Sequence, residues 1–174
     1  SNMYESYSSV IQTKTIRLLQ TIAVNEGMSM ITGDVILDKA LYGLATSARQ
    51  WNVTLGQEIK KMGFSQYRED PDLWMRKDPD SPSYEYIATY VDDLIIVSKS
   101  PERHITHIKK VFPIRNIEFK PEYYLGTNLT VNEKNIKVTM EKYVNEAIRK
   151  YESKHSSIRK ENVPVSPGDH PELD

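Results

Sequence analysis

The sequence contains no cysteine. Disulfides and thiolate-held metals are therefore excluded, and any metal must be held by oxygen or imidazole ligands. Such a chain suits a reducing, intracellular compartment. It has no apolar run near the ~20 residues that a spanning helix needs, so no membrane role is expected. No charged leader with a small-residue cleavage site is apparent either, so secretion is not expected. Charge of one sign is also lacking: 23 basic against 24 acidic residues leave a net charge of −1. A nucleic-acid partner would therefore need a local basic face rather than bulk attraction.

What is present suits one folded domain: 174 residues, 39% hydrophobic and 27% charged, with room for a buried core. Ser1-Asn2 before Met3 reads as a tag remnant, residues 3–155 as the domain, and 156–174 as a flexible C-terminal linker carrying Pro164, Pro167 and Pro171. Ile11, Leu18, Leu19 and Ile22 recur at helical spacing from Val10 to Glu26, with Gly27 as a stop. Met28 to Val35 reads as a strand. Ala40 to Met62 is the longest helical stretch, its stripe including Leu44, Trp51, Leu55 and Ile59. Strands are expected over Asp72–Lys77, Tyr84–Tyr90 and Leu94–Val97, a helix from Ser100-Pro101 to about Val111, strands near Tyr123–Val131 and Asn135–Thr139 joined by a turn at Asn132-Glu133-Lys134, and a last helix from Glu141 to about Lys154. Helices mixed with hairpin-connected strands predict an α+β domain, an antiparallel sheet with helices packed on one face.

The informative feature is Asp92-Asp93, set between Tyr86–Val91 and Leu94-Ile95-Ile96-Val97. Two adjacent carboxylates between apolar strands repel each other, and burial would raise their pKa unless a cation compensates. A hairpin tip projects them off the sheet end, and a divalent cation with a taste for hard oxygen ligands neutralises them. Asp is also a common turn former, so the pair alone serves as well for an exposed hairpin breaker. Asp34, at the end of the Met28–Val35 strand, is a second candidate; taken alone, Gly33-Asp34 reads more readily as a strand-terminating turn. His104 and His107, one helical turn apart, have no third ligand apparent and are expected at exposed helix positions.

Lys39-Ala40-Leu41-Tyr42-Gly43-Leu44 and Ala48-Arg49-Gln50-Trp51 closely resemble a segment of copia-type retrotransposon reverse transcriptases. Gly63-Phe64, Asp70-Pro71-Asp72-Leu73-Trp74, Tyr90-Val91-Asp92-Asp93-Leu94 and Tyr123-Tyr124-Leu125-Gly126 follow in that family's order, and His170–Asp174 resembles the junction leading toward its RNase H region. The resemblance implies a polymerase palm that performs two-metal nucleotidyl transfer from a deoxynucleotide to a primer 3′-hydroxyl. Asp34, Asp92 and Asp93 would be catalytic, with Mg²⁺ (or Mn²⁺) held at Asp34, Val35 and Asp92. Tyr42, Gly43, Leu44 and Arg49 would meet nucleotide and template, and Tyr90, Val91, Leu125 and Gly126 the primer. Lys120 is a candidate general acid for the leaving pyrophosphate. Trp51 is expected to be core packing. The implied partners are a primer-template RNA/DNA duplex and deoxynucleotides.

Two departures from the family pattern matter. Only Val35, Ile36, Leu37 and Asp38 separate Asp34 from Lys39, where the family has a few tens of residues. A single helix precedes the first catalytic strand, so most of a fingers subdomain is expected to be missing. The resemblance therefore leaves an alternative: a non-catalytic, retained palm-like module that binds nucleic acid or protein.

Overall fold

The structure, a computed structural model, describes residues 10–36, 45–124, 126–131, 135–155 and 157. In chain order the elements are α1 (Thr13–Asn25), β1 (Ser29–Val35), α2 (Ala45–Lys61), β2 (Ser65–Gln66), β3 (Leu73–Lys77), β4 (Tyr84–Tyr90), β5 (Asp93–Ser98), α3 (Pro101–Lys109), β6 (Ile114–Phe119), β7 (Tyr123–Tyr124), β8 (Thr127–Val131), β9 (Ile136–Thr139) and α4 (Glu141–Glu152). Six strands form one antiparallel sheet in the order β2-β3-β4-β5-β1-β6, and β7-β8-β9 form a second. The expected α+β class holds.

Alternation along the strands divides the core in two. Ile31, Ile87, Leu94 and Ile96 point to one face, where Trp51, Leu55 and Ile59 of α2 and Ile105 and Ile108 of α3 cover them. Ala88, Ile95 and Val97 point to the other, where Ile16, Leu19 and Ala23 of α1 meet Tyr124 and Leu129 of the small sheet. Helices were expected on one face; α2 and α3 lie there, whereas α1 and the small sheet cover the opposite face. The continuous apolar run of β5 follows from this arrangement, since a strand covered on both sides has no solvent face to alternate toward.

Helix ends follow local chemistry. At the end of α1, Gly27 takes φ +59° while its N–H donates to Val24 and that of Met28 donates to Ala23, a glycine-ended cap that satisfies carbonyls the helix leaves open. Gly63 closes α2 in the same way, with φ +86°. In α4 no residue is buried, although Tyr143, Val144 and Tyr151 are apolar and exposed.

Several expectations shift. Strand β6 was not anticipated, nor was the two-residue β2. The single strand expected over Tyr123–Val131 is instead β7 and β8, separated at Gly126, whose φ of +80° turns the chain. Residues 40–44 of the expected long helix, the turn at 132–134, the tag remnant at 1–2 and all but residue 157 of the linker lie outside the described residues. Among the described residues no helix is long and apolar enough to cross a membrane.

Candidate active site

Strands β4 and β5 form a hairpin whose tip is Val91-Asp92, with Val91 at φ +56° and 49% exposed. A β-branched residue rarely takes a positive φ, so neighbouring contacts must hold the turn. Two are visible. The Trp51 indole N–H of α2 donates to the Val91 carbonyl at 3.1 Å, and the Val35 N–H of β1 donates to the Asp92 carbonyl at 2.8 Å. Trp51 therefore packs in the core as expected and also holds the tip; its ring meets Phe112 edge-on, centroids 5.0 Å apart.

The β1–β5 ladder sets Asp34 directly opposite Asp93, and β4–β5 sets Tyr90 opposite Asp93. Asp93 alternates with Ile95 and Val97, and Asp34 with Met30, so both acidic side chains project on the α1 face. Burial pushes the Asp93 carboxyl up to about 6, helped by a hydrogen bond with Asp34 and by the charges of Asp34 and Asp92. The ladder thus pairs Asp34 with Asp93, and the charge of Asp92 adds to the effect on Asp93.

The next strand supplies partners that the sequence did not point to. Between Thr32 and Asp34 the β1–β6 register slips, so that Asn116 and Ile117 together oppose Gly33. This bulge places Asn116 at φ +49°, and its amide donates to Asp34 Oδ2 at 2.6 Å. Arg115 Nε lies 3.9 Å from the same oxygen. Gly33 allows close packing here, because a Cβ on it would stand 3.0 Å from the Ile114 side chain, which would have to shift.

Other expected site residues are placed as follows. Gly126 lies at the β7–β8 turn, and a Cβ there would meet nothing within 4 Å. Lys120 is bound through its N–H to the Met30 carbonyl at 2.9 Å, four residues before Asp34. That carbonyl lies roughly 13 Å from Asp34 along an extended strand, while the Arg115 side chain lies beside the Asp34 carboxylate. Tyr42, Gly43, Leu44 and Leu125 lie outside the described residues, and of Arg49 only the helical backbone is described. His104 is a correction: expected exposed, it is 2% exposed, with Nε2 2.8 Å from the buried Glu85 carboxylate.

Among the described residues no group of three or more His, Cys, Asp or Glu is arranged to hold a metal ion. By ligand type alone the facing Asp34 and Asp93 offer hard carboxyl oxygens, which suit a divalent cation.

The sequence matches the reverse transcriptase (RNA-dependent DNA polymerase) family over residues 32–165. It is 32% identical over 92 residues to the Saccharomyces cerevisiae protein named "Putative transposon Ty5-1 protein YCL074W", covering 51% of this chain and 29% of that one. The chain thus corresponds to less than a third of that relative's length. No solved structure matches. Because the family match takes in Asp34, the Tyr90–Asp93 turn and the β7–β8 hairpin, and continues past α4, the chain belongs to the reverse transcriptase (RNA-dependent DNA polymerase) family, in its copia-type retrotransposon branch.

Proposed function

We propose that this chain is the palm of an RNA-directed DNA polymerase that joins deoxynucleotides to a primer 3′-hydroxyl and releases pyrophosphate. The observation that carries this reading is the register that sets Asp34 against Asp93 beside the hairpin tip. Asp34, Asp92, Asp93 and the main chain of Val35 would hold Mg²⁺ or Mn²⁺. Bound there, the cation supplies charge neutralisation to the attacking oxygen and the leaving phosphates.

The remaining work belongs to the chain itself. Trp51 and Val35 fix the height of the turn, and the exposed Val91 presents an apolar surface to the end of a primer. Asn116 orients one oxygen of Asp34. Gly126, open on its Cβ side, lets a nucleic-acid backbone approach closely. Tyr42, Gly43, Leu44 and Arg49 are assigned to nucleotide and template by resemblance. Phosphoryl transfer depends on positioning and charge, so a chain with a shortened segment after Asp34 polymerises slowly.

Primer extension on an RNA template tests the reading. Slow extension is expected with Mg²⁺ or Mn²⁺, and loss of it in Asp34→Asn and Asp92→Asn. Extension that survives both substitutions contradicts it. The four-residue gap between Asp34 and Lys39 favours a second reading, a non-catalytic module that binds nucleic acid or protein. Under that reading no extension occurs, and duplex binding is the same in Asp92→Asn as in the unaltered chain.

A further inference from the structure

Tyr124 lies in β7, 8% exposed, in the cluster that holds Ile95, Val97 and Leu129, with the partly buried Tyr90 packed against that cluster. Its hydroxyl is fully buried and has no hydrogen-bond partner among the described residues. Leaving a buried hydroxyl unpaired is destabilising, and phenylalanine would fill the same space without that penalty. The oxygen is therefore unexplained as packing.

Its surroundings suggest what it serves. Asp93 projects on the same face as Ile95 and Val97, and Asp34 on the same face as Met30, so the acidic pair and the Tyr124 ring share one side of the sheet. Burial, followed by the charges of Asp93, Tyr90, Asp34 and Asp92, pushes the phenol well above its ordinary range, so at neutral pH it stays protonated. A protonated phenol can donate to a carboxylate. Asp34 already accepts a hydrogen bond from the Asn116 amide.

We propose that Tyr124 is a positioning residue of the candidate active site, its hydroxyl donating a hydrogen bond to the Asp93 carboxylate when a divalent cation draws that carboxylate away from Asp34. The hydroxyl then fixes the Asp93 oxygen that the cation does not use. The small β7–β8–β9 sheet, a primer support by resemblance, thereby also sets the geometry of the acidic residues. The inference rests on the polymerase reading, because it needs a cation at that site.

Tyr124→Phe in the full chain tests it, with Mg²⁺ binding followed by calorimetry and unfolding by urea without metal. The variant is expected to fold with stability equal to or above that of the unaltered chain, and to bind Mg²⁺ about tenfold more weakly, the effect of one hydrogen bond to a charged group. Addition of Mg²⁺ should perturb the near-ultraviolet tyrosine absorbance of the unaltered chain and do so less in the variant. In an Asp93→Asn background, Tyr124→Phe should weaken binding no further. Equal Mg²⁺ affinity in the two chains overturns the role of Tyr124 and leaves the polymerase reading standing. A variant that fails to fold, or loses stability without metal, makes the hydroxyl structural and also overturns it. If the unaltered chain binds no Mg²⁺, both fall.

Discussion

Asp34 and Asp93 stand directly opposite each other on adjacent antiparallel strands, so that the charge of Asp34 adds to burial in raising the Asp93 carboxyl. Two acids so placed compete for one positive charge, which can be a proton or a metal ion.

That competition has a pH signature. Asp93 is pushed up to about 6 by burial first, then by Asp34 and Asp92. A raised carboxyl contributes stability that is full below its ordinary value of 3.8 and lost as pH rises through about 6. Cation binding must displace the proton, so Mg²⁺ affinity should rise about tenfold per pH unit up to that point and level off above it. Calorimetry across pH 5 to 8 checks this, and Asp93→Asn should flatten the profile.

Asn116 reaches Asp34 only because the β6 bulge gives it φ +49°. Asn116→Gly keeps the backbone and removes the amide, so it should weaken Mg²⁺ binding several-fold with little change in stability. Asn116→Ala should weaken binding equally and cost about 1 kcal/mol more, since alanine resists a left-handed conformation. Paired calorimetry and urea titrations separate the two effects.

Acid stability should depend on a second buried cluster on the opposite face. Glu85 accepts hydrogen bonds from Ser98, Arg103 and Arg76 and is paired with His104. Burial pushes its carboxyl up, but these partners outweigh burial and hold it at about 2. A depressed carboxyl contributes stability that is full above its ordinary 4.5 and lost as pH falls toward 2. Burial, against the pull of Glu85, lowers the His104 pKa, so its contribution is lost as pH falls below its ordinary 6.5. In an Asp93→Asn background, where the opposing effect of Asp93 is absent, unfolding midpoints should decline from about pH 6.5 downward. Glu85→Gln, which leaves the partly exposed Arg76 and Arg103 without their carboxylate, should cost about 1–3 kcal/mol at neutral pH.

Trp51→Phe removes the donor to the Val91 carbonyl and leaves a small cavity against Phe112. The expected loss is about 1–3 kcal/mol. Faster amide exchange at the hairpin tip should accompany it, and exchange unchanged there would show that the turn holds itself.

Local pattern made much of this fold legible. Helical spacing around Leu19, alternation through Tyr84–Tyr90, and the unbroken run Leu94–Val97 each matched the element formed. Strand β6 escaped because its bulge breaks the alternation of Ile114 and Ile117, placing them three residues apart. The split at Gly126 escaped because a left-handed glycine within an apolar run has no local signature beyond the glycine itself. For the site, adjacent carboxylates between apolar strands drew attention to Asp92 and Asp93, but Asp34 and the catalytic roles were named through the family resemblance. Asn116, Arg115 and Tyr124 could not be named, since each matters only through a long-range register. Lys120 was suggested by its nearness in sequence to the primer-support hairpin, yet its backbone pairs with the far end of β1.

The most direct test of the central claim is a crystal of the chain soaked in Mn²⁺ and recorded at a wavelength where manganese scatters anomalously. The account predicts an anomalous peak touching carboxylate oxygens of both Asp34 and Asp93, lost in Asp34→Asn. A clean map showing no peak between those two strands would contradict it.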